Sequence, residues 1–139
     1  MNWISWALLS ALFAGLTAVL AKVGVAGVDS YLATAMRTTV VLVFTWAIAL
    51  ATHQGGALSH LSRRTLAFLF LSGVATGLSW LCYFRALQMG QASQVAPVDK
   101  LSVVFAIALA ALFLGERLSW QHYIGGALIV AGAVVLARA

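Results

Sequence analysis

Residues 66–87 read LAFLFLSGVATGLSWLCYFRAL, a stretch whose only charge is Arg85. A helix of this length rises about 33 Å, enough to cross the ~30 Å hydrocarbon core of a bilayer. Comparable stretches occupy 3–21, 31–52, 95–114 and 123–137, joined by connections of a few to a dozen residues. The pattern predicts an all-α integral membrane protein: five transmembrane helices in one domain over 3–138. With so little chain left outside the lipid, the function belongs inside the membrane.

Composition agrees. Hydrophobic residues make up 63% and charged residues 8%, and the mean hydropathy is +1.03. A soluble domain carries about 25% charged residues. The net charge of +5 comes without a basic cluster or groove-reading motif, so nucleic acid is excluded as a partner. The surplus reads as membrane-flanking charge plus a few embedded cations. The single cysteine, Cys82, lies in mid-span and reads as a packing residue. Residues 3–21 lack a basic leader and exceed the apolar core of a signal peptide, so they are expected to remain as a helix.

Polar side chains recur at helical spacing. Trp3, Trp6, Ser10, Phe13 and Thr17 share a face of the first span, and Thr34, Thr38 and Thr45 share one of the second. Gly73 and Gly77 form a GxxxG pair continued by Trp80, Phe84 and Leu87. Such stripes fit helix packing with back-bonded hydroxyls; three on neighbouring helices also fit a lined cavity. In the fifth span Gly125, Gly126, Ala131 and Gly132 permit close backbone approach, and are expected at a dimer contact.

Charge at membrane depth is the sharper signal, because it is costly and marks pathways. Arg37 lies two turns into the second span, and Asp99 and Lys100 lie one turn into the fourth, just after Pro97. Lys22 closes the first span and Arg85 nears the end of the third. Snorkelling to the headgroups is the alternative for Lys22, Arg85 and Lys100. Asp99 and Ser102, three apart, would share a helix face. Asp99 is expected to pair with Arg37 or Lys22, with Trp80 and Tyr83 lining the cavity beside it. The candidate substrate-binding set is Lys22, Arg37, Trp80, Tyr83, Asp99, Lys100 and Ser102.

Catalysis finds little support. The chain has three acids and no HExxH, GxSxG, Walker loop or CxxC. His53, His60 and His122 lie in or beside connections and read as solvated or interfacial. No metal or cofactor is expected. Asp29 and Ser30 are placed to cap the second helix, and Ser93 the fourth.

The stretch from Trp80 to Gly132 resembles the EamA domain of the drug/metabolite transporter superfamily. The residues that carry the resemblance are Tyr83-Phe84-Arg85-Ala86-Leu87, then Ala92-Ser93-Gln94-Val95-Ala96-Pro97, then Leu112-Phe113-Leu114-Gly115-Glu116-Arg117-Leu118-Ser119 with Gln121, Gly125 and Gly126. Lys22 and Arg37 extend it more loosely over the first half. Two departures stand out. Typical members have ten helices in two units, and here there is one. Val98-Asp99-Lys100-Leu101-Ser102-Val103 stands where many members carry apolar residues and a second proline. The membrane glutamate of the small multidrug transporters is missing from helix one, so any proton coupling would use Asp99, Asp29 or another group.

The resemblance and the embedded charges together imply a small secondary transporter or permease unit in the cell (inner or plasma) membrane. It would move a polar or charged small metabolite by alternating access. Two inverted units would form the pathway, as an antiparallel homodimer or with a homologous unit. A non-transporting interaction subunit and a lipid flippase are the alternatives. Basic residues permit insertion both ways: Arg63, Arg64 and Arg117 on one side face Lys22, Arg37, Arg85, Lys100 and Arg138 on the other, and setting aside the embedded Arg37 and Lys100 leaves three against three.

Overall fold

A computed structural model describes residues 2–52 and 61–139. His53, Gly55-Gly56 and His60 lie outside the described residues. The helices are α1 (Trp3–Gly24), α2 (Ser30–Ala51), α3 (Arg63–Met89), α4 (Ala92–Asp99), α5 (Ser102–Leu114) and α6 (Trp120–Ala137). With α4 and α5 taken as one span, Ala92–Leu114, five segments are long and apolar enough to cross a membrane. The chain is therefore a multi-pass membrane protein.

Helix ends follow local chemistry. The Asp29 carboxylate accepts from the backbone N–H of Tyr31 at 2.9 Å and of Leu32 at 3.2 Å, starting α2. Ser62 Oγ accepts from Thr65 N at 3.0 Å, so α3 begins at Arg63 rather than at Leu66. Gly115 ends α5 in the left-handed region, φ 67°, a position that favours a residue without Cβ. Ser119 N donates to His122 Nδ1 at 3.1 Å in a reciprocal cap, and α6 starts at Trp120 instead of Tyr123. His122 thus has a structural role that its position beside a connection did not reveal.

Span four departs most from expectation. It begins at Ala92 with Gln91 at the cap position, and Ser93 falls inside the helix. It is also interrupted. Pro97 has no N–H to give to the turn before it, and beyond it the backbone tightens to three-residue bonds. Lys100 N donates to Pro97 O at 3.1 Å, Leu101 N to Val98 O at 3.0 Å, and Val103 N to Lys100 O at 3.0 Å. Asp99 therefore ends α4 and Ser102 opens α5, on either side of the break.

The chain divides into two compact units, residues 1–23 with 86–139, and residues 24–85. In the first, α6 packs on α4 and α5, with Gly126 and Ala133, two turns apart, buried. Leu87, at the end of α3, is fully buried. The second holds α2 and most of α3, and its Ser30, Thr34 and Phe84 are buried. The hydroxyls of Thr34, Thr38 and Thr45 donate to the carbonyls of Ser30, Thr34 and Val41 at 2.7–2.8 Å. These hydroxyls satisfy themselves on their own helix.

Candidate functional site

In the unit of residues 1–23 and 86–139, the ammonium of Lys22 donates to the carbonyls of Leu87 at 2.5 Å and Gly90 at 2.8 Å. The last carbonyls of a helix have no partners within it and carry the negative end of its dipole. Lys22 reaches from α1 to supply both the donor and the charge. A Cβ on Gly90 would lie 3.0 Å from Val95 Cγ2, so the turn between α3 and α4 is tight as well as capped.

Asp99 does not pair with Lys22. Its Oδ2 lies 3.5 Å from Lys100 Nζ, with side chains 35% and 55% exposed. A carboxylate–ammonium pair and Ser102 thus sit at the interruption of span four. Three-residue bonding there replaces the regular helical ladder.

In the unit of residues 24–85, the Arg37 guanidinium carbon lies 4.4 Å from the Trp80 ring centroid and 5.4 Å from that of Phe84. Tyr83 meets Phe84 edge-on, with centroids 6.5 Å apart. Trp80 and Phe84, one turn apart on α3, make a two-ring platform for a cation on α2. Such contacts stabilise by roughly 0.5–2 kcal/mol. Placing an arginine at the centre of a membrane helix costs about 2.5–3.5 kcal/mol on insertion scales. The platform therefore offsets only part of the cost. Phe84 belongs with the candidate residues although its sequence context reads as packing; its spacing from Trp80 was the available signal. Among the described residues no group of three or more His, Cys, Asp or Glu could hold a metal ion.

The small residues of α6 fall on two sides. Gly126 is buried, whereas Ala131 and Gly132 are exposed. A Cβ added at Gly125, Gly126 or Gly132 would meet nothing within 4 Å.

Five apolar spans, one of them interrupted beside an ion pair, define an integral membrane protein. The chain belongs to the EamA-like transporter family, whose model matches residues 1–138. It is 54% identical over 136 residues to a Sinorhizobium sp protein described as an uncharacterized transporter in the cobO 3'region, covering 98% of this chain and 96% of that one. It is 33% identical over 117 residues to a probable terminal-alkyne amino-acid exporter of Streptantibioticus cattleyicolor, covering 81% of this chain and 38% of the exporter. A third relative is the probable 4-amino-4-deoxy-L-arabinose-phosphoundecaprenol flippase subunit ArnE of Yersinia pseudotuberculosis. It is 32% identical over 72 residues, 52% of this chain and 63% of ArnE. The chain thus spans less than two thirds of the length of the exporter and of ArnE. No solved structure matches it. Family and relatives indicate a transporter rather than an enzyme.

Proposed function

We propose that this chain is a secondary transporter unit of the cell membrane. It moves a polar or charged small metabolite by alternating access, and two inverted units form the pathway. The observation that carries this reading is the interruption of span four at Asp99-Lys100-Leu101. Transporter sites are built where a membrane helix is discontinuous, because irregular backbone at depth is tolerated only where it is buried in protein or lines a cavity. Asp99, Lys100 and Ser102 at the break are the substrate-contacting residues of their unit on this reading, and Arg37, Trp80 and Tyr83 are those of theirs. Lys22 moves to a supporting role at the end of α3.

Pairing of inverted units draws on the odd number of spans, which puts the two ends of a unit on opposite faces. It also draws on the near-balanced basic residues, which let a single chain insert both ways. The exposed small-residue side of α6, Ala131 and Gly132, offers the contact. Purified protein in liposomes, screened with a metabolite panel for uptake, tests the function. Uptake that follows the reconstituted protein and falls in Asp99→Asn supports it; a panel-wide absence of uptake by folded protein overturns it.

A second reading has a specific basis, the likeness to ArnE. A unit that assembles with a different membrane subunit and presents a lipid-linked headgroup would use the same embedded charges with an opening to the bilayer. Copurification of a homologous partner, together with headgroup-dependent lipid translocation, favours this reading over solute uptake.

A further inference from the structure

We propose that Arg37, seated over Trp80 and Phe84, is the binding point for an anionic group, a carboxylate or a phosphate, on the molecule this chain handles. The inference rests on the transport reading and narrows it to a substrate class.

The chain has three acids. Asp29 is the sole acid of the unit that contains Arg37, and its carboxylate caps α2 through Tyr31 N and Leu32 N. Asp99 is paired with Lys100 in the other unit. Glu116 belongs to the connection beyond the end of α5. The guanidinium is therefore stacked on aromatic faces without a carboxylate of its own unit to neutralise it, on a helix that crosses the membrane. Aromatic faces contact the charge without supplying oxygen acceptors, and a guanidinium carries its N–H donors in a planar fork that matches carboxylate or phosphate oxygens. A rigid aromatic seat fixes that fork in place before a ligand arrives, which lowers the ordering cost of binding.

Trp80 reports on the site directly. In a variant carrying Trp3→Phe, Trp6→Phe, Trp46→Phe and Trp120→Phe, emission comes from Trp80 alone; the four replaced rings are exposed. The full chain in phosphatidylcholine nanodiscs is titrated with succinate, with glycerol 3-phosphate and with uncharged glycerol, then examined again with phosphatidylglycerol in the disc. The expected result is a saturable change with an anion and none with glycerol, weakened about tenfold or more by Arg37→Gln. A response to soluble anions identifies a metabolite as the source. A response to phosphatidylglycerol alone, abolished by Arg37→Gln, identifies a lipid headgroup with the same chemistry.

A response to glycerol equal to that of the anions, an Arg37→Gln titration matching wild type, or silence to every anion overturns the proposal. Should Arg37→Gln fail to fold, Arg37→Lys keeps the charge and loses the planar fork. Weaker binding of the same anions then supports the proposal, and unchanged binding overturns it. Uptake by the same protein in liposomes separates the two levels. Transport of neutral or cationic solutes with no anion response sinks this inference and leaves the transport reading standing. Anion binding with no solute or lipid moved does the reverse.

Discussion

The Lys22 ammonium lies 2.8 Å from the carbonyl oxygen of Gly90, and with the Leu87 carbonyl this contact ties α1 to the end of α3. Hydrogen bonds to a charged group contribute about 1.5–3 kcal/mol each where they are partly shielded. Lys22→Met removes both bonds and should lower unfolding stability in detergent by about 3 kcal/mol or more, while leaving the affinity of folded protein for its ligand unchanged. Thermal unfolding and ligand titration on the same sample check this. Intact stability with lost affinity would return Lys22 to the substrate site.

Gly90 is sensitive to volume rather than to backbone conformation. An added methyl meets Val95 Cγ2 at 3.0 Å and the Ala86 carbonyl at 3.5 Å. Gly90→Ala is expected to cost about 1 kcal/mol, and Val95→Ala in the same chain should recover most of that loss. A double-mutant cycle by thermal unfolding measures the coupling. Additive effects would show that the tight contact is not the cause.

The two aspartates should separate cleanly. Asp29→Ala loses the cap of α2 and is expected to cost about 1 kcal/mol of stability. Asp29→Asn, which still caps, should be near neutral and transport normally. Asp99→Asn breaks a part-exposed pair that contributes roughly 1 kcal/mol or less, yet should cut transport about tenfold or more. Uptake and melting are measured on all three variants. Lost stability with normal uptake in Asp99→Asn would mark the pair as structural.

Substitutions on α6 should divide by side. Gly132→Leu lies on the exposed side and is expected to shift a dimer towards monomer with its helicity intact. Gly126→Leu, on the buried side, should destabilise the unit itself. Crosslinking and circular dichroism distinguish them. A dimer that survives Gly132→Leu would move the contact elsewhere.

The spans were legible because twenty apolar residues leave little alternative in a chain of this hydropathy. The break in span four was not. The charged pair Asp99-Lys100 reads equally well as embedded charge on an unbroken helix, and Pro97 alone does not say where the ladder gives way. Lys22 shows the opposite difficulty. Its charge at the span's end was plain, but its partners are backbone carbonyls more than sixty residues away, on which side-chain identity is silent. Arg37 was found by its depth. That aromatic rings would receive it depended on where Trp80 and Phe84 fall against α2, which side-chain identity alone does not give.

Arg37 lies seven residues along α2 from Ser30, about 10 Å into a core ~30 Å thick. A unit charge there senses roughly a third of the membrane potential, so each 100 mV shifts its energy by about 0.8 kcal/mol, a third of the full-span value. A bound monoanion cancels that charge. The empty site then responds to voltage and the occupied one does not, so the voltage dependence of turnover would report on which of the two states is rearranging.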